Sequence, residues 1–162
     1  MNIYKNFLEK KDFKKIESVI MGNNFPWYYS DGVIDEDDKY DQFVYNFIAQ
    51  EGIINCSQNM LDLITPILSK LKYKKIIRIK ANLLLKTPEI VEQGYHVDQL
   101  EGETCVFYLN TCNGYTKFKN GKKIKSEKNK LVRFKSILEH TGSSCTDKKR
   151  RVVINFNYVW IY

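Results

Sequence analysis

Tyr95-His96-Val97-Asp98 is the stretch that decides how this 162-residue chain is read. If it is extended, His96 and Asp98, two positions apart, point to the same face of a strand. An imidazole nitrogen and a carboxylate oxygen then converge on one point, as in a 2-His-1-carboxylate metal site. The chain has only two histidines, so the third ligand of such a set falls to His140. His-x-Asp is a common spacing and a lone histidine is more often a hydrogen-bonded structural residue, so the surrounding sequence has to carry the argument.

On either side of this stretch the chain reads as strands. Upstream, Lys75-Ile76-Ile77-Arg78-Ile79-Lys80-Ala81-Asn82 alternates polar and apolar residues and runs into Leu83-Leu84-Leu85. Thr87-Pro88 breaks that strand, and a loop up to Gly94 delivers the chain to His96. Downstream, residues 104–110 are a strand, Asn113-Gly114 is a turn, and Tyr115-Thr116-Lys117-Phe118 opens a hairpin. Its tip, Asn120-Gly121, is the favoured pair for a two-residue type I′ turn, with the return strand over residues 122–125. Residues 130–134 and 151–158 complete the series.

The first third reads as mainly helical. Asp12 is placed to cap a short helix whose apolar residues Phe13, Ile16, Val19 and Ile20 recur at helical spacing, ending at Gly22-Asn23-Asn24. Phe25-Pro26-Trp27-Tyr28-Tyr29 is not helical and supplies aromatics to close one end of the core. An acidic loop over residues 31–38 leads to residues 42–48, an apolar run that fits either a buried strand or a helix. Residues 57–71 carry an apolar stripe of Met60, Leu61, Ile64, Ile67, Leu68 and Leu71, with Pro66 expected to kink or divide the helix. Helices followed by short antiparallel strands give α+β. The β part is a jelly roll (double-stranded β-helix) with the helices packed on one sheet. The chain is expected to be one domain over 1–162, with 1–74 as mainly helical support and 75–162 as the jelly-roll core.

Composition is that of a soluble globular protein: hydrophobic residues make up 43% and charged residues 28%. Much of the net charge of +7 comes from lysines spread over residues 10–15, 70–80 and 117–130, which admits a polyanion partner. Lysine, asparagine, isoleucine and tyrosine are abundant together, however, as an AT-rich coding sequence gives without any partner. The four cysteines show no Cys-x-x-Cys spacing. The N-terminal residues contain no apolar core of a signal peptide, and no run approaches a membrane span. The expected setting is a reducing cytoplasm with free thiols and no membrane partner.

His-x-Asp, Tyr-Leu-Asn, Gly-x-Thr-x-Phe, a strand, His and Arg follow one another here as His96-Val97-Asp98, Tyr108-Leu109-Asn110, Gly114-Tyr115-Thr116-Lys117-Phe118, His140 and Arg151. In that order they resemble the Fe(II)- and 2-oxoglutarate-dependent oxygenases of the prolyl-4-hydroxylase-like class, including small stand-alone members found in phages and bacteria. The resemblance covers residues 78–158. Tyr115 stands where the family commonly has a second glycine. The resemblance implies a dioxygenase, most simply a hydroxylase, in which His96, Asp98 and His140 hold Fe(II). It implies 2-oxoglutarate as co-substrate, decarboxylated to succinate, together with O2, and it allows ascorbate as a reductant. Arg151 would pair with the distal carboxylate of 2-oxoglutarate and Tyr108 would donate to the same group. If the source is a phage, the setting is the host cytoplasm.

Strand alternation separates the two adjacent arginines. Arg151, Val153 and Asn155 share one face, and Arg150, Val152, Ile154 and Phe156 the other. The first set is smaller and more polar, which suits a pocket, so Arg151 is preferred to Arg150. Asn82 and Asn155 are further pocket candidates, each equally able to satisfy local backbone. Ordinary roles stand beside these: Tyr108 as core, Arg151 paired with Asp147 at a surface turn, either histidine as structural. A catalytically silent cupin-like binding module and a basic nucleic-acid-binding protein are the competing functions. The substrate is left open by the sequence; peptidyl proline fits the resemblance best, beside a nucleobase, a sugar or a free metabolite. Residues 86–95, 99–103 and 143–149 are the expected mouth loops.

Overall fold

The computed structural model describes residues 1–31 and 41–160. Ten strands and two helices follow the chain in the order β1 (Asn2–Tyr4), α1 (Lys10–Ile20), β2 (Tyr28–Ser30), β3 (Gln42–Ile48), α2 (Gln58–Leu68), β4 (Tyr73–Leu85), β5 (Glu103–Tyr108), β6 (Tyr115–Phe118), β7 (Lys123–Lys125), β8 (Lys130–Lys135), β9 (His140–Gly142) and β10 (Arg150–Trp160). The strands form a seven-stranded sheet, ordered β1-β8-β5-β10-β4-β3-β2, and a three-stranded sheet, β7-β6-β9. Every ladder is antiparallel. This is the α+β double-stranded β-helix that the strand pattern predicts.

Alternation along the strands divides the large sheet into two apolar faces. Cys105, Phe107, Val152, Ile154 and Phe156 join Phe13, Ile16, Ile20, Leu63, Ile64 and Ile67 of the helices in one buried cluster. Val106, Tyr108, Val132, Phe134 and Val153 point the other way and meet Phe118 and Ile124 of the small sheet. The helices therefore cover the outside of the large sheet, and the space between the sheets is left for polar side chains at one end.

Several local expectations change. The first third is less helical than its periodicity suggests, because it also gives three strands to the large sheet, one of them (β3) paired with β4 over much of its length. The ambiguous run at 42–48 is that strand. Asp12 does not cap α1 but lies in its first turn, where a carboxylate still complements the N-terminal dipole. Pro66 does not divide α2, which ends two residues after it. Phe25 is buried against Trp27, Tyr45 and Phe47, closing the core as expected, whereas Tyr28 and Tyr29 are exposed. The acidic loop lies, beyond Asp31, outside the described residues.

The hairpin tip is a three-residue loop rather than a type I′ turn. Gly121 has φ +86° and Asn120 does not share a positive φ. The Gly121 amide donates to Phe118 (2.8 Å) and the Phe118 amide to Lys122 (2.9 Å), the pattern of a turn followed by a glycine bulge. The segment at 86–95 is no free loop. It runs along β9 and its extension through isolated bridges, Lys86 with Cys145 and Glu92 with Ser143. Among the described residues no helix is long and apolar enough to cross a membrane.

Candidate functional site

His96 and His140 are joined backbone to backbone, each amide donating to the other's carbonyl at 3.0 Å. Two residues on, the Asp98 amide donates to Ser136 (3.1 Å), so the His-x-Asp stretch is extended and both side chains share a face. One ligand atom from each of His96, Asp98 and His140 lies within 4.8 Å of the others. His96 Nε2 is 3.8 Å from Asp98 Oδ1, and His140 Nε2 is 3.6 Å from Asp98 Oδ2. His140 Nδ1 is 2.8 Å from the Leu138 carbonyl, so a proton on Nδ1 leaves the Nε2 lone pair facing the carboxylate. His96 Nδ1 stands 3.4 Å from the Gly94 carbonyl in a looser version of the same arrangement. Burial, followed by the neighbouring His140, holds the His96 imidazole below its ordinary pKa and favours the neutral ligand form.

Asp98 is held from behind by two residues that the sequence reading did not single out. Arg78, on β4, approaches Oδ1 at 3.3 Å and also donates to Asn157 at 3.1 Å. Thr104, on β5, donates to Oδ2 at 2.6 Å and to or from Ser136 at 3.0 Å. Such contacts orient a carboxylate and fix which lone pairs remain free. The signal for Arg78 is its place in β4: Arg78, Lys80 and Asn82 alternate with apolar residues, and their polar side lines a cavity instead of facing solvent.

That cavity, of about 250 Å³, lies between the two sheets and reaches from the His/Asp cluster to Arg151. Arg151 is 3% exposed. Its Nε donates to Ser126 (2.7 Å) and its Nη2 to Thr116 (3.2 Å). The Tyr108 hydroxyl donates to the same Thr116 oxygen at 2.9 Å. Among the described residues no carboxylate pairs with the Arg151 guanidinium, and burial lowers its pKa from the usual range. Asp147 is elsewhere, accepting from the Asn113 amide at 2.9 Å, so the surface pair is not formed. Arg150 turns to the helical side and donates to the Met21 carbonyl, as strand alternation requires. Asn82 and Asn155 both line the cavity; Asn82 makes a 3.4 Å contact to the Lys80 carbonyl, and Asn155 Oδ1 is buried with no donor.

The Gly-x-Thr-x-Phe element now has a physical meaning. A Cβ on Gly114 would stand 2.7 Å from Arg151 Cδ and 2.5 Å from the Ser144 carbonyl, so only glycine lets the arginine stem pass. Thr116 receives the two donors just described. Phe118 packs edge-on to Phe134, whose ring lies 4.8 Å from that of His140. Tyr115, in the departing position, reaches out to Glu92 at 2.6 Å, and Lys117 meets the same carboxylate at 2.7 Å. These bonds clamp the 86–95 segment onto the small sheet.

No family model and no curated protein sequence matches the chain. Solved structures do match in fold. A prolyl-4-hydroxylase from Pseudomonas putida superposes with a TM-score of 0.65 at 12% identity, over 99% of this chain and 92% of the other. A prolyl hydroxylase from Trichoplax adhaerens, in complex with a hypoxia-inducible-factor peptide fragment, gives 0.65 at 14%, over 97% and 82%. A 2OG-Fe(II) oxygenase family oxidoreductase from Burkholderia pseudomallei gives 0.59 at 14%, over 83% and 75%. The chain thus has the fold of the 2-oxoglutarate/Fe(II) oxygenases and prolyl hydroxylases.

Proposed function

We propose that the protein is an Fe(II)- and 2-oxoglutarate-dependent oxygenase that oxidises a substrate C–H bond. The observation that carries this reading is the pairing, in one cavity, of a His96/Asp98/His140 cluster with a buried guanidinium that no carboxylate among the described residues meets. Two imidazoles and a carboxylate suit Fe(II) and leave room for other ligands. An unpaired arginine is costly to bury unless an anion comes to it, and its fork matches a carboxylate. The residues present therefore fit both groups.

His96, Asp98 and His140 would hold the metal. Arg151 would receive the distal carboxylate of 2-oxoglutarate, with the Tyr108 hydroxyl turning from Thr116 to donate to it. Fe(II) with 2-oxoglutarate and O2 supplies oxidative decarboxylation to succinate coupled to substrate oxidation. The chain's own work is positional. The Leu138 carbonyl holds the His140 tautomer, Arg78 and Thr104 fix the Asp98 carboxylate, and Val106 and Val153 give the cavity apolar walls. Hydroxylation is the outcome favoured by the neighbours named as prolyl hydroxylases.

Anaerobic titration with Fe(II) and 2-oxoglutarate tests the reading through the weak visible metal-to-ligand charge-transfer band. The band is expected in the parent protein and absent from the His96→Ala variant. A folded parent without the band overturns the proposal in favour of a silent cupin-like module.

A further inference from the structure

The charges around the cavity do not balance once metal and 2-oxoglutarate are assigned, an argument that rests on the oxygenase reading above. Arg78, Lys80 and Arg151 line the cavity against a single carboxylate, Asp98. Arg78 is engaged by Asp98 and Asn157. In the proposed complex the distal carboxylate matches Arg151, while the other carboxylate of 2-oxoglutarate and Asp98, which Arg78 shares, offset Fe(II). Lys80 is left over. It is half-buried on the inward side of β4, paired in register with Asn155 of β10. Among the described residues no hydrogen bond or ion pair holds its ammonium group. Burial pulls its pKa down to about 8, with Arg78 adding to the effect and Asp98 opposing it.

Lys80 is also well separated from Arg151. Arg151 and Asn155 are four residues apart on β10, which is ~13 Å of strand, and Lys80 lies one strand further across. The wall thus carries two unpaired cations on separate stretches, with the buried and unmet Asn155 Oδ1 beside the second. A desolvated ammonium next to an unsatisfied amide is the pattern of a site completed by its ligand.

We propose that Lys80 anchors an anionic group of the substrate, a carboxylate or phosphate, while Asn155 accepts a hydrogen bond from an adjacent N–H or O–H. The substrate is then a small acid with a neighbouring amino or hydroxyl group, and a neutral prolyl ring within a polypeptide leaves Lys80 unmatched.

The test is titration of the metal-free protein with acetate and with inorganic phosphate, followed by ¹⁵N NMR. Shifts are expected at the Asn155 side-chain amide and around Lys80, with binding there at least tenfold weaker in Lys80→Met and largely kept in Lys80→Arg. The tighter of the two probes tells carboxylate from phosphate. Equal affinity in Lys80→Met, shifts confined to the Arg151 end, or no shifts overturn the proposal. In the charge-transfer titration, the half-saturating 2-oxoglutarate concentration is expected to stay within twofold in Lys80→Met. A tenfold rise assigns Lys80 to the co-substrate instead and likewise overturns it. A normal band with no anion site at Lys80 fails this inference alone, and an anion site without a band fails only the oxygenase reading.

Discussion

Lys80 shows how a single residue can be kept against the interest of the fold. Its folded pKa of about 8 lies below the ordinary 10.5, so folding disfavours its charged form. Below pH 8 the group is charged in both states and the whole cost is present. Between pH 8 and 10.5 the folded protein releases the proton first, and stability rises with pH. Above 10.5 the cost has gone. Lys80→Met is therefore expected to stabilise the metal-free protein at pH 7 by on the order of 2 kcal/mol, an advantage that fades toward pH 10. Chemical denaturation of both proteins at pH 7 and pH 10 measures it, and a destabilised variant at pH 7 shows that the ammonium is paired after all. Of the candidate residues, those announced by type and order were legible in their placement: His96, Asp98, His140 and Arg151 line one cavity, and Tyr108 is buried behind it on Thr116. Arg78, Lys80 and Thr104 were not, because a polar residue alternating along a strand reads as solvent-facing, and Ser126, just past β7, belongs to no periodic pattern. Only the closing of the second sheet over β4 and β10 turns that face inward.

At the scale of elements, the large sheet separates two kinds of work. Its outer face packs on α1 and α2, and its inner face carries Tyr108, Arg151 and the polar residues of β4. Ile64 of α2 is fully buried on the outer side. Ile64→Ala should cost about 3 kcal/mol through lost transfer energy and a partly collapsed cavity. A sheet's thickness away from the cluster, it should leave the midpoint of Mn(II) binding unchanged within twofold at temperatures where the variant is folded. Denaturant unfolding and metal titration of the same sample give both numbers; loss of metal affinity in the folded variant contradicts the division. The elements themselves were read well where periodicity was strong, as in α1, α2, β4, β5 and β10. They were missed where an element is too short to show a period, as with the three-residue β1 and β2, which exist because neighbouring strands offer them a ladder. The 86–95 segment was hidden for a related reason: its bonds to residues 142–145 lie about fifty positions away in sequence and leave no local mark.

For the whole molecule, the proposed metal would tie together parts that the chain connects only weakly. His96 and Asp98 belong to the bridged 86–98 segment, His140 to the small sheet, and Arg78, which holds Asp98, to the large one. The unfolded chain has no such arrangement of ligands, so metal binding energy appears as folding energy. Mn(II), as a redox-stable substitute, at a hundredfold excess over its dissociation constant adds about 2.7 kcal/mol of stability. At about 2–4 °C per kcal/mol for a domain of this size, that raises the unfolding temperature by roughly 5–11 °C. The shift should grow with the logarithm of Mn(II) concentration. His140→Ala should lose it while still unfolding cooperatively, since the backbone bonds between residues 96 and 140 do not need the imidazole. Thermal melts followed by circular dichroism across a Mn(II) series decide the matter. A melting temperature that ignores Mn(II), or that rises equally in His140→Ala, means the three side chains do not act as one metal centre.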